Sequence, residues 1–164
     1  TFIGRVSDMK EDIGGKLVPL NATSNAYEPC YIGKGLIAGD NIVIGAMCHI
    51  GRSVTIGDET RIQGSTYISD NTIIESNVFI GPNTTILNDK YPPSGDKEKW
   101  APVTVCQNTV IGGGSTILPG ITIGANAVLG AGSVLTKSIP KNEVWKGNPA
   151  TFHMQRIDYE KKRG

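Results

Sequence analysis

Aromatic and charged residues are both scarce in this chain. Phe, Trp and Tyr make up 6% of its 164 residues, and Asp, Glu, Lys and Arg together make up 19%. The net charge is only +1 and no basic stripe is interleaved with aromatic residues, which argues against a nucleic-acid-binding surface. No apolar run approaches the roughly 20 residues of a membrane span, and the opening residues TFIGRVSDMKED show no signal-peptide pattern. We therefore expect a soluble, cytoplasmic protein with no membrane partner.

Cysteine and histidine are scarce as well. The three cysteines, Cys30, Cys48 and Cys106, are an odd number, which argues against a disulfide framework. Cys30 and Cys48 are predicted to be small buried side chains. The chain has only two histidines, His49 and His153, whereas a three-histidine zinc site needs one more, so no metal is expected.

Glycine is abundant, and aliphatic residues recur every six positions. The chain has 21 glycines, nearly twice the average share. A first series of aliphatic positions, in which only Ala38 is small, consists of Ile32, Ala38, Ile44, Ile50, Ile56, Ile62, Ile68, Ile74, Ile80 and Ile86. After an interruption, a second series consists of Val105, Ile111, Ile117, Ile123, Leu129 and Leu135. Neither a helix nor a simple amphipathic strand has a period of six.

A short strand followed by a tight corner explains this period. Residues two apart share one face of a strand, so each aliphatic residue and the generally small residue two places before it both point inward. Three places after many of the aliphatic residues stand Gly or Asn, which adopt left-handed backbone conformations at low cost. These corner residues are Gly35, Asn41, Asn71, Asn77, Asn83, Asn108, Gly114, Gly120, Asn126 and Gly132. Three such sides make one triangular coil, and the two series together give about five coils.

The segment between the two series contains an insertion. The interval from Ile86 to Val105 is about three hexads long, where an unbroken series would have one, so roughly two hexads of sequence have been added. Tyr91 and Trp100 bring large recognition surfaces to this segment, and three lysines, Lys90 among them, bring positive charge. Insertions into repeat stacks often lie on the binding face, so residues 87–102 are predicted to form an extruded substrate-binding loop. A neutral surface insertion is the alternative.

The repeated units of aliphatic-Gly-x-x-small-x and the ending GAGSVLTKSIPKNEVWKGNPA resemble the left-handed β-helix acyltransferases over residues 30–150. The resemblance implies an all-β fold, a left-handed parallel β-helix of hexapeptide repeats with an extruded loop. The tail TFHMQRIDYEKKRG has apolar residues at 152, 154 and 157 and then Tyr159, a pattern that predicts a short C-terminal helix. The predicted divisions are an N-terminal cap at 1–29, the β-helix at 30–137 with its loop at 87–102, and a tail at 138–164 that leaves the prism. The resemblance also implies a homotrimer in which donor and acceptor meet between two subunits.

The loop sequence FIGPNTTILNDKYPPS is similar to that of the 3-amino-sugar N-acetyltransferases, which act on nucleotide-linked amino sugars. Many sugar acetyltransferases of this fold carry a His-Pro in the loop as the base that deprotonates a hydroxyl, whereas this chain has Tyr91-Pro92. The resemblance implies that Asn88 is a catalytic residue beside the acetyl-CoA thioester. The missing histidine fits an amine acceptor, because a neutral amine attacks a thioester with less help from a base than a hydroxyl needs.

Further candidates surround the predicted acceptor. Asp89 is predicted to attract the ammonium group or to relay its proton. His49 is the competing catalytic candidate, since it occupies an outward strand position on the loop's face about two coils, or roughly 10 Å, away. The substrate-binding candidates are Lys90, Tyr91 and Tyr67.

The expected co-substrate is acetyl-CoA, whose long arm needs exposed backbone and whose phosphates need cations. The glycine-rich C-terminal coils permit close backbone approach. By match to GAGSVLTK and to the GNPA turn, the resemblance implies that a groove in this region binds the cofactor. The cofactor-binding candidates are Gly113, Ala131, Thr136, Lys137 and Pro149. The phosphate-binding candidates are Lys137, Lys141 and Arg156.

Three other interpretations stay open at this point. An O-acetyltransferase of the same fold would need His49 or a chain of water molecules in place of the loop histidine. A metal enzyme of the carbonic-anhydrase kind would need three histidines, one more than the chain contains. A non-catalytic trimeric scaffold would bind no CoA.

Overall fold

The computed structural model describes residues 16–164 as a stack of very short strands. In this part of the chain the strands β1 to β20 are Leu17–Pro19, Asn25–Tyr27, Tyr31–Ile32, Ile37–Ala38, Val43–Ile44, His49–Ile50, Thr55–Ile56, Arg61–Ile62, Tyr67–Ile68, Ile73–Ile74, Phe79–Ile80, Thr85–Ile86, Thr104–Val105, Val110–Ile111, Thr116–Ile117, Thr122–Ile123, Val128–Leu129, Val134–Leu135, Glu143–Gly147 and Ala150–Gln155. Helix α1 is Arg156–Arg163. The predicted all-β repeat fold with one short C-terminal helix is confirmed.

The strands form three sheets, one on each side of a triangular prism. Sheet A has the order β1-β2-β5-β8-β11-β14-β17-β19-β20, sheet B has β18-β15-β12-β9-β6-β3, and sheet C has β16-β13-β10-β7-β4. Strands from successive coils pair in parallel, as Ile62 does with Ile80 in sheet A and Ile68 with Ile86 in sheet B. The first and last pairs, β1 with β2 and β19 with β20, are antiparallel. Residues 16–29 of the predicted cap thus contain a hairpin, and residues 1–15 of it lie outside the described residues.

The corners adopt the left-handed conformation that their sequence predicts. All ten predicted corner residues have positive φ, from 56° at Asn41 and Asn83 to 83° at Gly35. Met47, Ser53, Glu59 and Ser65 do the same without being Gly or Asn. Hydrogen bonds between neighbouring coils fix these corners, since the Ser53 amide donates to the Lys34 carbonyl at 3.0 Å. The regular stack therefore imposes the conformation even where the side chain does not favour it.

The interior is a column of aliphatic side chains with small residues beside it. The ladder isoleucines from Ile44 to Ile86 are 0–1% exposed. The small residues include threonines and serines, whose hydroxyls donate to backbone carbonyls, as Thr84 does to Gly81 at 2.8 Å. No buried side-chain nitrogen or oxygen lacks a partner within residues 16–164. Burial of each coil against the next is therefore not opposed by unpaired polar atoms.

The insertion leaves the prism at the corner between sheets B and C. Thr85 of β12 pairs directly with Thr116 of β15 in the next coil. The added residues therefore lie outside the stack and do not separate the two coils. The loop base is closed because Asp89 forms an antiparallel bridge with Trp100 and the Ala101 amide donates to the Asn88 carbonyl at 2.7 Å. A short 3-10 helix at Lys97–Lys99 lies near its end. The loop root is thus rigidly joined to the stack.

The coil stack extends beyond residue 137. Ile139 bridges Ile123, and β19 pairs in parallel with β17, so the chain makes a further turn before it leaves the prism. Val144 is only 4% exposed, which gives this turn an apolar contact with the coil below. Strand β20 then folds back on β19, and the apolar residues at 152 and 154 lie in this strand, ahead of the helix. In residues 16–164 no helix is long and apolar enough to cross a membrane.

Candidate active site

An aromatic column projects from the outer face of sheet B. Tyr31, His49 and Tyr67 begin strands β3, β6 and β9 of three successive coils, so their rings stack along the prism. The ring centroids of Tyr31 and His49 are 4.5 Å apart with planes at 18°, and those of His49 and Tyr67 are 4.9 Å apart with planes at 21°. The next residue in this ladder is Thr85, which has no ring. Tyr67 therefore ends the column one coil from the loop.

A cavity of about 330 Å³ lies between this column and the loop root, and we call it the acceptor cavity. Its lining residues are Tyr31, His49, Arg52, Tyr67, Asp70, Asn88 and Trp100. Three residues predicted to serve the acceptor, Asn88, His49 and Tyr67, thus line a single cavity, although His49 stands two coils from the loop. Lys90 and Tyr91 are not among its lining residues, and Tyr91 is 77% exposed.

Arg52 and Asp70, which both line the acceptor cavity, form an ion pair. Arg52 Nη2 lies 2.7 Å from Asp70 Oδ2, and Arg52 Nε donates to the same oxygen at 2.8 Å. The other Asp70 oxygen accepts from the Arg52 backbone amide at 2.8 Å. The Asn88 side-chain amide donates to the Asp70 carbonyl at 3.3 Å. These bonds hold the Asn88 amide at the edge of the cavity.

Asp89 folds the loop with its carboxylate. Its two oxygens accept from the backbone amides of Tyr91 at 3.2 Å and of Ser94 at 2.9 Å. The hydrogen bond from the Ser94 amide is the main reason why the pKa of Asp89 lies below its usual 3.8, followed by side-chain and backbone bonds from Ser94 and Tyr91. Asp89 is therefore ionised at neutral pH, which suits attraction of a cation. Its predicted part in proton transfer stays a prediction.

We expect Asp89→Asn to loosen the loop at neutral pH. The asparagine side chain lacks the negative charge to which the backbone amides of Tyr91 and Ser94 donate. A carboxylate whose folded-state pKa is lowered contributes stability above its unfolded pKa and loses that contribution as the pH falls through the folded value. At pH 8 the contribution is fully present, so trypsin should cleave the variant several-fold faster after Lys90 and Lys97. Glu98→Gln, an exposed acid in the same loop, is the matched control. Equal cleavage of both variants would contradict this role.

Two further cavities follow the same corner from the loop toward the C-terminal hairpin, and together we call them the donor groove. One of about 430 Å³ is lined by Asp89 and Lys90 of the loop, by residues 118–121 of the next coil, and by Thr136 and Lys137. The other, about 170 Å³, is lined by Thr136, Lys137, Trp145, Pro149, Ala150, Thr151 and Phe152. Because Thr136 and Lys137 line both, the groove joins the loop root to the turn that contains Pro149.

Gly113 and Ala131, the other predicted cofactor contacts, lie at a different corner. They follow strands of sheet A, whereas Thr136 and Lys137 follow β18 of sheet B, so the width of sheet B separates the two pairs. The coil stack itself explains the glycine at 113, since a Cβ there would lie 2.9 Å from the Pro82 carbonyl oxygen. Within one chain the five predicted cofactor residues do not form one site.

Several lining residues were not predicted to be functional. Tyr31, Arg52 and Asp70 line the acceptor cavity, and Trp100 had been singled out only as part of the loop. The sequence does contain a signal for them, which is the spacing of one coil. Positions 52, 70 and 88 have this spacing and occupy one corner of successive coils. Positions 31, 49 and 67 have the same spacing and occupy one face. No group of three or more potential metal ligands occurs within residues 16–164.

The repeat region matches two known sequence families. The family described as bacterial transferase hexapeptide (six repeats) matches residues 53–88 and 102–137, and the hexapeptide repeat of succinyl-transferase matches residues 35–69. Together these matches cover the coils on both sides of the loop and omit residues 89–101. Residues 35–88 and 102–137 thus consist of hexapeptide repeats of the kind found in bacterial transferases. The resemblance from which the fold was predicted is therefore confirmed.

Two acetyltransferases match short stretches of the chain. A provisionally named acetyltransferase of Saccharomyces cerevisiae is 50% identical over 48 residues, 29% of this chain and 24% of that protein. One of Staphylococcus aureus is 41% identical over 63 residues, 38% of this chain and 31% of that protein. The matched stretch thus spans about a quarter to a third of these relatives' length.

Solved structures of two N-acyltransferases share the fold. A perosamine N-acetyltransferase from Caulobacter crescentus, in complex with CoA and GDP-perosamine, superposes with a TM-score of 0.70 at 21% identity, covering 81% of this chain and 57% of that one. The N-acyltransferase AntD from Bacillus cereus, in complex with dTDP and 3-hydroxybutyryl-CoA, gives 0.71 at 20% identity, covering 85% and 86%. At these identities the likeness establishes the fold alone.

Proposed function

We propose that the chain is an acetyl-CoA-dependent N-acetyltransferase that acts on the amino group of a nucleotide-linked amino sugar. The observation that carries the proposal is the position of two adjacent residues at the loop root. Asn88 lines the acceptor cavity and Asp89 lines the donor groove, so the two sites meet where the loop leaves the prism. Acyl transfer needs this arrangement, because the amine and the activated carbonyl must approach within reacting distance.

The residues at the junction suit attack by an amine. Acetyl-CoA supplies an activated carbonyl, to which the nitrogen forms a new bond while the carbon–sulfur bond breaks and the departing thiolate takes up the amine proton. The Asn88 side-chain oxygen can orient the amine by accepting a hydrogen bond from it, and the side-chain NH2 can stabilise negative charge on the carbonyl oxygen by donating to it. Asp89, which stays ionised, attracts the ammonium form of the acceptor to the junction, and this form releases one proton to solvent before the neutral amine attacks. Thr136, Lys137 and Pro149 would hold the donor along the groove.

The structural neighbours support this substrate class. The Caulobacter crescentus enzyme and AntD were both solved with a CoA compound and with a nucleotide or a nucleotide sugar. The groove beside the acceptor cavity would suit a similar pair of ligands, one long and one ring-bearing. A non-catalytic scaffold would not need two such sites to meet.

A homotrimer would bring the separated cofactor residues together. Gly113 and Ala131 lie at one corner of the prism and Thr136 and Lys137 at another. If two copies pack corner to corner, the first pair of one copy faces the second pair of its neighbour across a shared cleft. Native mass spectrometry should then give three times the 17.4 kDa mass of one chain. A monomer that is active at nanomolar concentration would contradict this assembly.

The proposed activity is tested by thiol release from acetyl-CoA with a panel of nucleotide-linked amino sugars and the corresponding hydroxy sugars. We expect release with at least one amino acceptor, and a product heavier by one acetyl group in mass spectrometry. Thiol release with a hydroxy sugar and none with any amino sugar would identify an O-acetyltransferase. No CoA binding in calorimetry and no release with any acceptor would identify the scaffold.

His49 favours a second candidate, an O-acetyltransferase, because it supplies a base to the acceptor cavity. The two functions predict different results for His49→Asn, which keeps a planar polar side chain. If the acceptor is an amine, we expect kcat to fall less than about tenfold, since the nucleophile needs no base. If the acceptor is a hydroxyl, we expect the 10²- to 10⁴-fold loss that is typical of a missing general base. Steady-state kinetics with the best acceptor distinguish the two.

A further inference from the structure

The side chains of Arg52 and Asp70 line the acceptor cavity but take no part in the proposed transfer step. The Arg52 side chain is 50% exposed and the Asp70 side chain is 18% exposed, so the guanidinium is the more accessible partner of the pair. Within residues 16–164, no other Arg and no Lys lines this cavity. Arg52 is therefore the group from which a ligand in the cavity can receive charge-assisted hydrogen bonds.

Asp70 holds the guanidinium in one orientation. Arg52 Nε donates to Asp70 Oδ2 at 2.8 Å, and Arg52 Nη2 lies 2.7 Å from the same oxygen. The carboxylate is fixed in turn, because its Oδ1 accepts from the Arg52 backbone amide at 2.8 Å. A guanidinium held by both of these contacts has little freedom to rotate, so its remaining N–H groups point in fixed directions.

The pair has hydrogen-bonding capacity that the protein does not use. A guanidinium has five N–H donors, and Asp70 takes at most two of those of Arg52, so at least three are left. The Arg52 side chain has no other hydrogen-bond partner in the described part of the chain. A carboxylate oxygen can accept two hydrogen bonds, and Asp70 Oδ1 accepts one there. The pair thus offers both donors and an acceptor.

Neighbouring donors and an acceptor match a hydroxyl group, which donates one hydrogen bond and accepts up to two. A phosphate matches less well, because it only accepts, and because the Asp70 carboxylate neutralises the arginine and repels a second anion. Tyr67 and Trp100 line the same cavity and offer ring surface to C–H groups. This combination suits the ring of a hexose.

The guanidinium lies close to the level of Asn88. Positions 52, 70 and 88 occupy one corner of successive coils, and the Arg52 side chain extends to Asp70, one coil nearer to the loop. The Asn88 side chain donates to the Asp70 carbonyl at 3.3 Å. Both groups thus contact Asp70, about one coil spacing or roughly 4.8 Å apart along the prism. They can therefore contact different substituents of one hexose ring.

We propose that Arg52 is a specificity-determining residue, which donates a hydrogen bond to one ring hydroxyl of the acceptor sugar while Asn88 contacts the amino group. Asp70 is the positioning residue that fixes the guanidinium. The proposal rests on the proposed function only for the identity of the acceptor, an amino sugar. A sugar without this hydroxyl leaves the oriented donors without their partner, so the site selects the acceptor by hydroxyl position as well as by amine.

Calorimetric titration in the presence of CoA, which carries no acetyl group to transfer, measures acceptor binding apart from catalysis. The probes are UDP-, GDP- and dTDP-linked 3-amino-hexoses and, for the one that binds most tightly, analogues in which a single ring hydroxyl is replaced by hydrogen. We expect one analogue to bind the wild type about 10- to 100-fold more weakly than the parent sugar, because a hydrogen bond to a charged group is lost. The other analogues should lose much less.

Four variants assign this discrimination to Arg52. Arg52→Ala should raise the Kd of the parent sugar by a similar factor and abolish the difference between the parent and that analogue. Arg52→Lys keeps a charge opposite Asp70 but not the planar fork of donors, so it should lose most of the discrimination. Asp70→Asn, which frees the guanidinium, should lose part of it. Arg61→Ala removes an exposed arginine on sheet A and is the matched control, with both Kd values unchanged. Circular dichroism shows whether each variant is folded.

A structural role of Arg52, or a contact with the phosphates, gives a different result. Arg52→Ala would then weaken binding of the parent and of every analogue equally and keep the wild-type differences between them, which would overturn the proposal. It is also overturned if no probe binds the wild type, or if no single analogue binds more weakly than the parent sugar.

The outcomes separate this proposal from the proposed function. If the discrimination depends on Arg52 but the same sugars give no acetylated product with acetyl-CoA, the specificity role stands and the proposed function fails. If acetylated product forms but the discrimination does not depend on Arg52, the reverse holds.

Discussion

Asn88→Ala is expected to lower kcat about 10²- to 10³-fold with little change in KM for acetyl-CoA. This is the typical loss when one donor to a developing oxyanion is removed, about 2.7–4 kcal/mol of transition-state stabilisation. The Asn88 amide stands at the junction of the acceptor cavity and the donor groove, and its bond to the Asp70 carbonyl already fixes its orientation. The effect should therefore appear in kcat rather than in binding. Thiol-release kinetics with saturating donor measure it.

Two controls separate a chemical role of Asn88 from a structural one. Asn88→Asp keeps the size of the side chain but replaces the amide donor with an acceptor, so it should be as impaired as the alanine variant. Glu98→Ala, on the exposed part of the same loop, should keep wild-type kcat. Trypsin digestion should cleave Asn88→Asp no faster than the wild type if the loop stays folded. An alanine variant with wild-type kcat would remove Asn88 from the mechanism.

Ile80→Ala is expected to cost about 2–5 kcal/mol of the free energy of unfolding, the range for removing a fully buried isoleucine. Ile80 is 0% exposed and its coil pairs with neighbours on both sides, through Ile62 and Ile111. Because each coil of a repeat stack is stabilised by the coils next to it, a cavity in a central coil weakens two interfaces at once. Urea denaturation followed by circular dichroism gives the difference.

The matched control is Ile73→Ala, one position before the inward Ile74. Ile73 points outward from sheet C and is 46% exposed, so its truncation removes little buried surface. We expect a change below about 1 kcal/mol, as for surface substitutions. Equal losses for the two variants would show that the inward ladder does not carry the stability of the stack.

Much of the fold could be predicted because one local rule repeats. Each hexad needs an inward aliphatic residue and a tight corner, and both appear in the sequence at fixed spacing, as Ile68 and Asn71 illustrate in one coil. The turn through Ile139 and Val144 was missed because it breaks this spacing. There the pairing is set by contact with the preceding coil, which a local pattern does not reveal.

The candidate site was predictable to the extent that it follows the period of one coil. That spacing brings Tyr67 over His49 and Asn88 over Asp70. The division of the loop root between two cavities was not predictable. Nothing in the sequence indicates that Asn88 lines the acceptor cavity while its neighbour Asp89 lines the donor groove. The cavity of about 580 Å³ lined by Val110, Met154 and Tyr159 was also missed, since it depends on how β20 and α1 fold back on sheet A, a tertiary contact without a periodic signal.

The central claim, that donor and acceptor meet at the loop root, is tested most directly by a crystal structure of the protein with CoA and a nucleotide-linked amino sugar. The account predicts that the CoA sulfur and the sugar nitrogen lie within van der Waals contact beside Asn88, with the pantetheine chain along Thr136 and Lys137. Density that places the CoA sulfur at a corner without the loop, or the amino sugar outside the cavity formed by Tyr67 and Asn88, would contradict it.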